Sequence, residues 1–180
     1  MTTADRTAST IRPATADDAR LLAQLGARLF EQAFGAANEP ANMSAYLANA
    51  FSLERQSAEL AEPGNVAWIA EDAGGAAVGY ALLRRGSGSL AVLQENAAEV
   101  QRLYVDQTWH GRGVAEALMN TCLDHASRTW HCGVVWLGVW QLNPRAIAFY
   151  TKMGFATVGT HTFTLGDDVQ HDYIMSRALP

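Results

Sequence analysis

The run His110-Gly111-Arg112-Gly113-Val114-Ala115 opens a helix-forming stretch, and beyond the next strand-like segment the chain reads Asn143-Pro144-Arg145-Ala146-Ile147-Ala148-Phe149-Tyr150 before Gly154-Phe155. From Glu99 onward the parts run strand, glycine-broken turn, helix, strand, helix, an alternation that predicts an α/β architecture. A turn carrying Gly113 and Ala115 lets backbone N–H groups approach an anion closely, and the helix behind it adds the positive end of its dipole. An anionic cofactor is the first expectation. A helix-opening turn without a ligand is the plain alternative, and glycines alone favour it.

The composition narrows the field. A chain of 180 residues with 49% apolar content and a mean hydropathy near zero has the material for one globular domain. A single domain over residues 9–180 is expected, after a flexible N-terminus at 1–8. No apolar run is long enough to span a bilayer, and the first ten residues are polar, so no membrane partner and a cytoplasmic location are expected. Cys122 and Cys132 have neither metal-ligand spacing nor disulfide density and read as reduced core thiols. The five histidines form no ligand motif, so no metal is expected. The formal charge of −5, with twelve arginines and the single Lys152, argues against a nucleic-acid partner and mildly for a cationic small substrate.

Around the opening stretch, Ile11 to Pro13 reads as a short strand, and Leu21, Leu25, Leu29 and Ala33, with Leu22 and Phe30, recur at helical spacing. Pro40 to Leu60 reads as one further helix ending by Pro63-Gly64. Val66–Asp72 and Ala76–Leu83 predict a hairpin about Gly74-Gly75, and Arg84 to Ala97 a loop. In the strand Ala98 to Val105, strict alternation puts Glu99, Gln101, Leu103 and Val105 on one face, and Val100, Arg102 and Tyr104 on the other. The next helix carries Val114, Ala117, Leu118, Thr121, Cys122 and His125 as its buried stripe. Val134–Val139 reads as a central strand, Asn143 as a helix cap with Pro144 in the first turn and Gly154 as the stop. Strands near Ala156–Phe163 and Val169–Ala178 close the chain through Leu165-Gly166-Asp167-Asp168.

The turn and the Asn143, Ala146, Phe149, Tyr150, Gly154, Phe155 pattern together resemble the GNAT superfamily of acyl-CoA N-acyltransferases. His110 stands where that family usually has Gln or Arg. The resemblance implies the GNAT fold: a strongly twisted mixed sheet of six to seven strands flanked by helices, whose fourth and fifth strands splay. It implies acetyl-CoA, or coenzyme A, as co-substrate. Backbone at Leu103, Tyr104 and Val105 would pair with the pantetheine arm, and an N–H near Val105 would face the thioester oxygen. His110, Gly111, Arg112, Gly113, Val114, Ala115 and Glu116 would hold the pyrophosphate, and Asn143, Ala146, Tyr150 and Lys152 complete the coenzyme set. Tyr150 is the catalytic acid that the resemblance implies, an aromatic core pair with Phe149 being the plain alternative. Glu99 is the candidate base, with a purely electrostatic role in the pocket as its alternative, and Glu95 and Asp172 are further carboxylates. His110 and His125 read as structural or solvated.

Nearly the whole chain is also similar to PaiA-type bacterial spermidine and spermine N-acetyltransferases, through Pro40-Ala41-Asn42-Met43, Trp136 to Trp140, Phe149 to Phe155 and Gly166 to Met175. A polyamine acceptor needs carboxylates and aromatic faces. Phe34, Tyr46, Glu99, Trp140 and Asp172 are the expected acceptor residues, with Glu31, Glu39, Glu54 and Tyr173 as further suppliers. A different amine, such as a peptide N-terminus, an amino acid or an aminoglycoside, and a non-catalytic acyl-CoA sensor are the alternatives. A homodimer is compatible with the resemblance.

Overall fold

The computed structural model describes residues 9–86, 88–89, 91–92 and 96–180. The N-terminus at 1–8 and Glu95 lie outside the described residues. The elements run β1 (Thr10–Pro13), α1 (Ala19–Phe34), α2 (Pro40–Ala50), α3 (Leu53–Ala61), β2 (Asn65–Glu71), β3 (Ala77–Arg85), β4 (Ala97–Val105), α4 (Val114–Arg128), β5 (Val134–Trp140), α5 (Pro144–Lys152), β6 (Ala156–Leu165) and β7 (Asp168–Ala178). They form a seven-stranded mixed sheet in the order β1-β2-β3-β4-β5-β7-β6. Each adjacent pair is antiparallel except β4 with β5, which run parallel because α4 carries the chain across between them.

That parallel pair is short. Register holds only at Ala97↔Val134, Ala98↔Val135 and Glu99↔Trp136. Beyond it β4 stays with β3 as far as Val105, while β5 stays with β7 as far as Trp140. The two strands therefore splay, as expected, and open a cleft in the middle of the sheet.

Apolar side chains cover both faces. Under α4 and α5, Leu83, Val100, Leu118, Met119, Val135 and Leu137 are buried together, with Leu103, Val105 and Phe149 packed against them. On the opposite face α1 supplies Leu22, Leu25 and Leu29 against Ile69, Tyr80 and Leu82, and Phe30 joins Met43, Phe51 and Leu165.

Three expectations are corrected. The helix expected from Pro40 to Leu60 is two: α2 ends at Ala50, and the Ser52 hydroxyl accepts from Arg55 N at 3.1 Å to cap α3. Strict alternation along β4 fails because a bulge shifts the register between Leu82↔Arg102 and Leu83↔Val100, leaving Gln101 unopposed. Val100, Leu103 and Val105 consequently share the α4 face, whereas Arg102 and Tyr104 turn to the α1 face. The buried stripe of α4 is also rotated, with Met119, Leu123 and Ala126 inside while Ala117 and Thr121 are only half-buried.

The bulge brings a guanidinium into the interior. Arg102 is 8% exposed and Glu59 6%, and Arg102 Nη2 donates to Glu59 Oε1 at 3.0 Å while Nη1 pairs with Oε2. The Phe51 ring lies 5.0 Å from the same guanidinium, and Gln56 Nε2 donates to Ala50 O at 2.9 Å across the helix break. Removing one partner of such a pair leaves an uncompensated buried charge. Glu59→Ala is expected to lower unfolding free energy by about 3–5 kcal/mol, read by urea denaturation.

Candidate functional site

A cavity of about 680 Å³ occupies the cleft between β4 and β5 and continues under α1, α2 and the β6–β7 hairpin. Its two ends differ in chemistry.

One end is the turn before α4. Gly111 and Gly113 have φ of +75° and +85°, a region that L side chains avoid, so glycine is required at both positions. Gly113 is the left-handed residue immediately before α4, and its backbone leads into the first, unpaired N–H groups of that helix. Gly111, Gly113, Val114, Ala115 and Glu116 all line the cavity, with Val114 itself buried. On α5, Asn143 Oδ1 accepts from Ala146 N at 3.1 Å, so its capping role is met, and Asn143, Ala146, Tyr150 and Lys152 line the same cavity. Lys152 Nζ lies 3.1 Å from Glu116 Oε2, an exposed pair that joins α5 to α4.

His110 also lines this end. Arg145 Nη1 lies against its Nδ1, so Nε2 carries the proton and donates to Val105 O at 3.0 Å. Burial, and then the Arg145 guanidinium, hold the imidazole below its ordinary pKa and therefore neutral. Arg112 is not among the lining residues; its guanidinium lies 5.0 Å over the Trp109 ring.

The other end is aromatic and acidic. Phe34, Tyr46, Glu99, Trp140 and Asp172, the residues expected for an acceptor, all line the cavity. Phe30 stacks between Phe34 and Tyr46 at centroid distances of 4.6 and 4.7 Å, and Trp140 meets Phe34 edge-on at 6.1 Å. Burial raises the carboxyl of Asp172 and the phenol of Tyr46 above their usual values. Glu99 Oε2 is 3.9 Å from Arg84 Nη1. Glu31, Glu39, Glu54 and Tyr173 lie outside the wall of this cavity.

Tyr150 stands between the two ends. It is buried under Phe149 and Phe155, and that burial pushes its phenol up to about 12. Tyr104 plays a double part that its sequence position did not reveal: its backbone follows the splay, while its ring turns to the acidic end against Phe30 at 6.0 Å. Arg145, His161, Phe163 and Gln170 also line the cavity and were not expected from the sequence. Alternation along the last hairpin carries a signal for three of them, since His161 and Phe163 on β6 and Gln170 and Asp172 on β7 each sit two residues apart. Among the described residues no cluster of three or more His, Cys, Asp or Glu side chains fits a metal, and no helix is long and apolar enough to cross a membrane.

A splayed parallel pair beside a glycine turn that opens a helix suits an anionic ligand with an amide-bearing arm. Residues 25–155 match the model of the acetyltransferase (GNAT) family, and the chain belongs to that family. An uncharacterised N-acetyltransferase of Mycobacterium tuberculosis is 38% identical over 162 residues, covering 90% of this chain and 98% of that protein. The N-alpha-acetyltransferase RimI of the same organism is 33% identical over 157 residues, covering 87% and 84%. The PaiA N-acetyltransferase of Thermoplasma acidophilum, solved in complex with coenzyme A, superposes with a TM-score of 0.76 at 16% identity, covering 96% of this chain and 99% of that one. The protein is an N-acyltransferase with acetyl-CoA as its co-substrate.

Filling the turn is the direct test of the coenzyme end. Gly113→Val combines a strained φ with a side chain in the anion's approach, and is expected to weaken coenzyme A binding at least about tenfold by calorimetry.

Proposed function

We propose that the protein transfers an acetyl group directly from acetyl-CoA to a primary amine of a small polycation, a polyamine being the leading acceptor. The observation that carries this reading is that Glu99, Asp172, Phe34, Tyr46 and Trp140 line the same cavity as the glycine turn. Carboxylates and ring faces together suit alkylammonium groups. The whole reaction fits a cytoplasmic enzyme, consistent with buried, unpaired Cys122 and Cys132.

The coenzyme's pyrophosphate lies on the amides of Gly111 to Glu116, with His110 and Lys152 beside it. Its pantetheine arm takes the backbone of Leu103, Tyr104 and Val105 that β5 leaves behind at the splay. The Val105 carbonyl is already served by His110, so the arm pairs with the remaining groups. Asn143 and Ala146 flank it from α5.

Chemistry then needs a neutral amine. Deprotonating an alkylammonium of pKa near 10 costs about 4 kcal/mol at pH 7. Glu99 accepts that proton, directly or through water. The amine nitrogen attacks the thioester carbonyl, the C–N bond forms, and a backbone N–H near Val105 stabilises the oxyanion. The nitrogen then gives its second proton to water, the C–S bond breaks to leave the neutral amide, and sulfur departs toward Tyr150 as a thiolate. A phenol at about 12 is a weaker acid than a thiol at about 8.5, so complete proton transfer to the thiolate is uphill by roughly 5 kcal/mol. Tyr150 therefore assists as a neutral hydrogen-bond donor to the sulfur, a role that burial protects by keeping it protonated throughout the working range.

One observation favours a second reading. The 33% identity to an N-alpha-acetyltransferase supports a peptide N-terminus as acceptor. Release of coenzyme A from acetyl-CoA with spermidine, spermine, a set of N-terminal peptides and a no-acceptor control separates the two: saturation by polyamines alone supports the first, and saturation by peptides alone overturns it. Tyr150→Phe is expected to lower kcat at least about tenfold with little change in coenzyme A affinity, and an unchanged kcat removes Tyr150 from the mechanism.

A further inference from the structure

His161 is a cavity-lining residue that the mechanism above leaves unused. It projects from β6 directly across from Asp172 on β7, and Asp172 is flanked on its other side by Trp140 of β5. His161 Nε2 lies 3.6 Å from Asp172 Oδ2, with the two side chains 39% and 15% exposed. The sheet has made room for this pair. A Cβ on Gly138, the β5 residue facing the gap, would come within 2.9 Å of His161 Cε1 and 3.4 Å of Asp172 Oδ2. Any larger residue there would force the imidazole away from the carboxylate.

The other titratable and charged groups around Asp172 come from different elements. Tyr46 of α2 faces Asp172, and Glu99 and Arg102 of β4 line the same cavity; Arg102 is itself neutralised by Glu59. A largely buried carboxylate is costly without a cation beside it. Two cations have access to Asp172: the half-exposed imidazole when it is protonated, and an ammonium group entering the cavity.

The geometry points to His161 as the residue that sets how strongly this site holds a cationic acceptor. Protonated, it pairs with Asp172 and takes the place of the acceptor's ammonium; neutral, it leaves the carboxylate to the acceptor. His161 is a specificity-determining residue here, acting through Asp172 and touching no reacting atom. The inference rests on the cavity being the amine-acceptor site. The imidazole and the acceptor's ammonium thus compete for one carboxylate, and removing the imidazole leaves Asp172 to the acceptor.

Calorimetric titration of spermidine into the coenzyme A-loaded protein at neutral pH tests this. His161→Gln is expected to bind at least about threefold more tightly than wild type, and Asp172→Asn more weakly than both. A His161→Gln affinity equal to or below that of wild type overturns the proposal. Absence of spermidine binding to all three proteins counts against the polyamine reading instead. A second measurement then decides the pair without any acceptor: carbon-13 NMR titration of the Asp172 carboxyl. Burial raises that group and His161 offsets the rise, so His161→Gln moves its midpoint upward, and an unmoved midpoint overturns the pairing.

Discussion

The separation of β4 from β5 is the constraint on which the site depends. Strand pairing satisfies backbone groups, and a sheet that stops pairing in its middle must find other partners for them. Here three register pairs hold the strands together at one end, after which each strand is kept extended by its outer neighbour. The gap is thus a rigid opening with ready-made hydrogen-bonding edges, suited to an amide-bearing chain such as pantetheine. The closing of α4 and α5 over one mouth of the gap supplies the turn, the cap and the phenol together.

The Gln101 bulge gives the opening its polarity. Without it Tyr104 and Arg102 would follow Val100 toward α4, and an arginine would be driven into an apolar layer. With it, Arg102 and Tyr104 join Glu99 on the side away from α4, where Arg102 finds Glu59 and the Ala50 carbonyl. Arg102 thereby holds the break between α2 and α3, and α2 carries Tyr46 into the cavity wall. A local irregularity in one strand accounts for both the acidic, aromatic end and the helix geometry above it.

Much of this was legible in the sequence because the relevant signals are local. The turn glycines, the Asn143 cap with Pro144, and the Gly154 stop each fix backbone over a few residues, and the structure has them where expected. Phe34, Tyr46, Glu99, Trp140 and Asp172 also line one cavity, although they come from five elements. What was not legible depends on register. Alternation along β4 assumed an unbroken ladder, and nothing local to Gln101 announces the bulge in its pairing with β3. Ser52 did carry a capping signal, but helical periodicity across Phe51 concealed it. The pairing of His161 with Asp172 follows from counting outward from Leu165↔Asp168, a register visible only once that turn is known to hold two residues, Gly166 and Asp167.

The two ends of the cavity are also joined mechanically through α1. Asp106 follows β4 and accepts from Thr108 N at 3.0 Å and Thr108 Oγ1 at 2.7 Å, holding the short turn that leads to His110. The same carboxylate pairs with Arg28 of α1, and Gln107 Nε2 donates to Gln32 O at 2.6 Å. Burial works against the charge on Asp106, yet its Thr108 and Arg28 partners keep the carboxyl below the ordinary range, so the link persists across the neutral range. Phe30, Ala33 and Phe34 project from the same helix into the acidic end. The helix that forms one wall for the amine is therefore fastened to the segment that leads into the coenzyme turn. Displacing either end requires moving α1 against a buried apolar face, which keeps donor and acceptor in a fixed relation across the gap.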